Sequence, residues 1–128
     1  MVNEQYILHP YYSTVFADTV REVMENPPVS FGHSGSWDTL TFPDGYEKPS
    51  KELLEERFKE NYRNEGFKYL RIERNKKLTE SDFVIFPDYS HPTPEIKQAW
   101  LDYRQALRDL PSITEDPENP VWPTPPNV

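Results

Sequence analysis

Between Tyr11 and Glu25 the apolar residues Tyr12, Val15, Phe16, Val20, Val23 and Met24, with Thr19 among them, recur at intervals of three and four. That is the spacing of one helix face, so a first helix is expected here, with Ser13 as its cap and Asn26-Pro27-Pro28 as its stop. Upstream, Gln5 to Leu8 is a short apolar stretch ended by His9-Pro10, because the residue before a proline is driven toward extended geometry. The pattern then changes. Val29-Ser30-Phe31 and Trp37 to Phe42 are short β-prone runs on either side of Gly32-His33-Ser34-Gly35-Ser36, and two glycines suit a reversal. A β-hairpin is the expected result.

From Pro49-Ser50 the helical period returns over a long segment. Ser50 is a plausible N-cap, Glu52, Glu55 and Glu56 favour the positive end of the dipole, and Leu54, Phe58 and Tyr62 mark the inner face. Gly66 interrupts the stripe at about 1 kcal/mol relative to alanine, so continuity with a bend is expected before Phe67, Leu70, Arg74 and Leu78 resume it. Phe83 to Phe86 reads as a short extended run. Thr93 then caps a last helix with Pro94 at its first position, where a missing amide hydrogen costs nothing. Ile96, Ala99, Trp100, Tyr103, Ala106, Leu107 and Leu110 share one face of it, and Pro111 is expected to end it. Beyond Pro111 the chain is proline-rich and extended, with Trp122 as its one strong anchor. Trp122 either folds back to cover the last helix or serves as a recognition strap for another protein.

Composition narrows the function. The chain has 128 residues, 14% of them aromatic, a formal net charge of −8 and no cysteine. A domain of this length has a modest core, to which Trp, Tyr and Phe contribute much of the area while keeping polar tips near the surface. The acidic balance repels phosphate backbones and anionic membranes, so neither nucleic acid nor membrane is the expected partner. Without cysteine there is no disulfide framework and no thiolate metal site. No apolar run approaches a membrane span, and Met1 to Gln5 lacks the basic and apolar regions of a signal peptide.

Candidate chemistry is thin. Gly32-His33-Ser34-Gly35-Ser36 has serine where a nucleophile elbow needs its last glycine, and it joins two β-prone runs instead of a strand and a helix. His9, His33 and His91 lie in separate loops without metal-ligand spacing. No catalytic, metal or cofactor residue is therefore expected. Lys68 to Lys77 is the one basic cluster, and the acidic remainder argues against a nucleic-acid role for it. A structural use is expected instead. Asp109, a carboxylate in the last turn of a helix, needs a compensating partner, and Arg71 and Arg74 offer a bidentate clamp. Arg104 and Arg108, four apart, repel unless each meets an acid such as Asp82 or a backbone carbonyl.

Four strings in order resemble the tail assembly chaperone family of tailed bacteriophages: Leu70-Arg71-Ile72-Glu73-Arg74-Asn75, Ser81-Asp82-Phe83, Trp100-Leu101-Asp102-Tyr103-Arg104-Gln105-Ala106-Leu107-Arg108-Asp109-Leu110-Pro111, and Pro120-Val121-Trp122-Pro123. The resemblance covers about the last sixty residues. The front part, with Trp37 and the Lys48-Pro49-Ser50 helix start, resembles XkdW-like small phage proteins more loosely. Two positions depart from the family pattern: Lys77 stands where a leucine is usual, and Phe83 where tryptophan is usual. The resemblance implies a non-enzymatic phage-encoded helper that binds a tail-fibre or other tail protein in the host bacterial cytoplasm during assembly. The alternative it leaves is a permanent structural component of the virion tail, with self-association. Trp37, Arg71, Arg74, Asp82, Trp100, Tyr103, Arg104, Arg108, Asp109 and Trp122 are the expected framework or partner-binding residues. The expected architecture is α+β in one compact domain, with a helix and β-hairpin in 1–48, a helical chaperone-like region in 49–111 and an extended tail in 112–128.

Overall fold

The computed structural model describes residues 11–126, and the expected stretch at Gln5 to Leu8, with His9, lies outside them. Three α-helices carry the described chain: α1 (Tyr12–Val23), α2 (Lys51–Glu80) and α3 (Pro94–Ile113), with short 3₁₀ turns at Trp37–Thr39 and Asp82–Ile85. Contacts divide it into two compact units between Glu65 and Gly66, a point inside α2.

In the first unit α1 buries Tyr12, Val15, Phe16, Thr19 and Val20. The opening half of α2 answers with Leu54, Phe58 and Tyr62, all at most 3% exposed. The rings meet edge to face, Tyr12 to Phe58 at 5.0 Å and Phe16 to Phe58 at 5.5 Å, the geometry that aromatic quadrupoles prefer. Asn61 Nδ2 donates to Thr19 Oγ1 at 3.1 Å and to Glu22 at 2.7 Å, and Arg57 pairs with the same carboxylate. The bonds from Asn61 and Arg57 hold the Glu22 carboxyl below its usual range. Ser50 caps α2 by accepting from Leu53 N at 3.3 Å, whereas Ser13 lies inside α1 and caps nothing.

The expected α+β class is corrected: no strand or sheet occurs among the described residues. What stands in place of the β-hairpin is a single antiparallel bridge, Gly32 to Thr41, closed by two 2.9 Å backbone bonds. Side chains have taken over the ladder. Thr39 Oγ1 accepts from the amides of Ser34 and Ser36, and the reciprocal Ser36 and Thr39 box winds Trp37–Thr39 into a 3₁₀ turn. Gly35 sits at φ +93°, and Tyr12 Oη donates to its carbonyl at 2.8 Å. A Cβ at Gly35 would stand 2.8 Å from Tyr12 Cε1, so glycine is required there twice over.

In the second unit the closing half of α2 runs antiparallel to α3, and Leu70, Val84, Tyr103, Leu107 and Leu110 are buried. Phe83 to Phe86, expected to be extended, is wound into a 3₁₀ turn by the bonds Val84 N to Ser81 O and Phe86 N to Phe83 O. Val84 fills the interior and Phe83 does not. Thr93 Oγ1 accepts from Ile96 N at 3.1 Å, the expected cap of α3. Pro111, expected to end α3, lies within it, and the helix continues to Ile113. A proline in the last turn withholds one amide hydrogen without preventing the final residues from closing on Leu110 O.

Candidate functional site

Arginines hold the second unit together. Arg104, 5% exposed on α3, reaches the end of α2 with one nitrogen donating to Leu78 O and Ser81 Oγ, each at 2.7 Å. Its other terminal nitrogen meets Asp82 Oδ1 at 2.9 Å. Leu78 O also accepts from Ser81 N and Ser81 Oγ, each at 3.1 Å, and as one of the last carbonyls of α2 it lies at the negative end of the dipole, which favours a cation. Arg104 therefore closes α2, balances Asp82 and ties α3 to both. Arg74 makes the converse contact, from α2 to α3, donating to Arg108 O at 3.3 Å and to Leu107 O at 3.5 Å. Leu107 O is the carbonyl that the Pro111 amide would have served in an unbroken helix.

These bonds replace the expected clamp. Asp109 accepts from Gln105 Nε2 at 3.0 Å within its own helix, so the acid that Arg74 was expected to meet is already engaged. Arg71 instead lies over the Phe67 ring at 5.7 Å, and Arg108 donates to Gln105 Oε1 at 3.3 Å. A partly solvated carboxylate can find a neutral donor one turn away, whereas a helix-end carbonyl has fewer choices.

Aromatic rings line the end of the unit that holds the α2 to α3 connection. Trp100 stands edge-on to Phe83 and to Tyr103, both at 5.8 Å, and Tyr89 is edge-on to Phe83 at 5.2 Å. His91 Nε2 donates to Val84 O at 2.9 Å and its ring packs on Tyr89. Burial, and secondarily the Glu80 carboxylate, push the Tyr103 hydroxyl above its usual pKa. The tail folds back on the same unit: Trp122 is half-buried under Lys77 Nζ at 5.1 Å, and Pro120 and Val121 line an open groove with Leu110 and Ile113.

Of the ten expected residues, Arg74, Asp82, Arg104 and the Trp100 to Tyr103 pair belong to this connected arrangement. Trp37 lies in the first unit, where its indole N–H donates to Pro49 O at 2.8 Å and Lys48 covers its ring at 4.2 Å. Sequence reasoning missed Ser81, Lys77 and Val84. Val84 carries no signal that separates an inward 3₁₀ residue from its neighbours, and Ser81, although part of the Ser81-Asp82-Phe83 string, carries none for a helix-end hydroxyl. Lys77 does carry one, since it marks a departure from the family pattern.

Among the described residues no group of three or more His, Asp or Glu side chains could hold a metal ion, and no helix is long and apolar enough to cross a membrane. Residues 67–127 match the family model of the phage tail assembly chaperone proteins, which bears out the resemblance of the last sixty residues. The match spans a little under half of the chain and does not reach the part that resembles XkdW-like proteins. No curated protein and no solved structure matches.

Proposed function

Starting from a chain that carries the phage tail assembly chaperone region in residues 67–127, we propose that the whole protein is a non-enzymatic chaperone of virion tail assembly. It covers a surface of a tail or tail-fibre subunit in the host cytoplasm until that surface is taken up by the growing tail, and is then released. One observation carries this reading: the family match coincides with a unit that begins at Gly66, is braced internally by Arg74 and Arg104, and still leaves large apolar side chains exposed. A braced scaffold with an uncovered apolar edge is suited to reversible capping, because its own fold does not depend on the partner. The acidic charge supports a protein partner over nucleic acid.

The test is quantitative mass spectrometry of this chain in infected-cell lysate and in purified particles. Abundance in lysate with near-absence from particles is the expected result. A fixed copy number per particle would replace the chaperone reading with a permanent baseplate or fibre-adaptor subunit.

A further inference from the structure

We propose that the 3₁₀ turn bearing Phe83, Ile85 and Phe86 is a docking surface for a basic, apolar-faced segment of a partner protein. The proposal rests on the chaperone reading and names the chemistry of its client.

The 3₁₀ turn Asp82–Ile85 directs Val84 inward and leaves Phe83, Ile85 and its extended C-cap Phe86 exposed. Phe83, Ile85 and Phe86 are 40%, 51% and 55% exposed, three outward side chains among four residues of a connection that could have been polar. The display is fixed. Backbone bonds from Val84 to Ser81 and from Tyr89 to Phe86, together with His91 on Val84 O, hold the turn, while Trp100 and Tyr89 support Phe83 from two sides. A surface ordered before it binds loses little conformational freedom on docking.

Charge selects the partner. Between Leu78 and Ile96 the chain carries Glu80, Asp82, Asp88 and Glu95 and no lysine or arginine. Lys76, Lys77 and Lys97 flank this stretch, Lys77 over the Trp122 ring, and Arg104 balances Asp82 from within, so that the exposed Glu80, Asp88 and Glu95 are the acids nearest in sequence to the apolar side chains. An acidic or neutral apolar segment gains nothing from that rim, whereas one with lysine or arginine beside its apolar residues gains attraction and orientation. An amphipathic segment of an unassembled tail subunit with basic flanks fits it.

The experiment measures binding of the full chain to two designed amphipathic peptides by fluorescence anisotropy, one built from leucine and lysine and the other from leucine and glutamate. The lysine peptide should bind at least about tenfold more tightly than the glutamate peptide, a difference of about 1.4 kcal/mol. Ile85→Ser with Phe86→Ser should weaken the lysine peptide about tenfold, and so should Glu80→Gln with Asp88→Asn and Glu95→Gln, the latter with a flatter salt dependence. Phe86→Ser alone is used if the double variant loses its helical signal. The same number of carboxylates removed from the first unit, by Glu25→Gln, Asp44→Asn and Glu47→Gln, should change binding by less than about twofold.

Equal weakening by that control, equal binding of both peptides, or full binding by the serine variants would overturn the surface. So would a concentration-dependent dimer in sedimentation that the serine variants abolish, since a second copy would then be the occupant. The particle measurement is independent of these outcomes. Near-absence from particles with no peptide preference discards this surface and keeps the chaperone reading, and a fixed copy number discards the chaperone reading itself.

Discussion

Arg104 does the work of three separate contacts, and its loss should be felt in proportion. Arg104→Met would remove the charged donor from Asp82 and Ser81 Oγ and leave Leu78 O with its two bonds from Ser81 alone, a cost of about 2–4 kcal/mol in urea denaturation. Asp82→Asn should cost about 1 kcal/mol or less, because Asp82 is half exposed and an amide oxygen still accepts. A ranking in the opposite order would mean that the ion pair, and not the helix-end carbonyl, dominates. In the first unit the Tyr12 hydroxyl is buried and pushed up to about 12 by desolvation. A group with a raised folded pKa contributes stability below its unfolded value of 10.0 and loses it as pH climbs toward 12. Thermal unfolding should therefore show a decline in stability across that window, and Tyr12→Phe should make the decline shallower. These two residues also mark what was legible at this scale. That Arg104 needs an acid or a carbonyl follows from a like-charged neighbour four residues on, whereas the Asp109 clamp did not form because Gln105, four residues away on the same helix, supplies a local donor while Arg74 serves the α3 carbonyls.

At the scale of elements, Gly35→Ala should destabilise the first unit by about 1–3 kcal/mol, since it combines a positive φ with a Cβ pressed against Tyr12. Gly45→Ala, with φ +92° and open space around it, isolates the backbone part of that cost when melting temperatures are compared. All three helices were readable from periodicity, and the caps Ser50 and Thr93 from residue type. The loops were not. A run such as Trp37 to Phe42 has β-prone residues, yet Ser36 and Thr39 bond the backbone locally before any partner strand can, and the β-prone average conceals that competition. Likewise Phe83 to Phe86 is too short for a period of two to be told from a period of three. Pro111 misled for a different reason. Helix-breaking is a statement about an isolated helix, and here the carbonyl it abandons accepts, at long range, from Arg74.

For the whole molecule, an excess of acidic residues and a pI near 4.8 keep copies apart at neutral pH. As pH falls toward that value the repulsion vanishes while Phe86, Ile85 and Val121 stay exposed, so turbidity should peak near the pI and be reduced in the Ile85→Ser, Phe86→Ser variant. A peak of equal height in that variant would show that these side chains do not drive the association. The tryptophans have a further use. Trp37 belongs to the first unit, and Trp100 and Trp122 belong to the second. The chain thus holds its own spectroscopic labels: replacing Trp100 and Trp122 with phenylalanine leaves an emission signal that reports the first unit alone, and replacing Trp37 leaves one for the second. Superimposable melting curves from the two would identify a single cooperative transition, and separated curves would give each unit a melting point of its own.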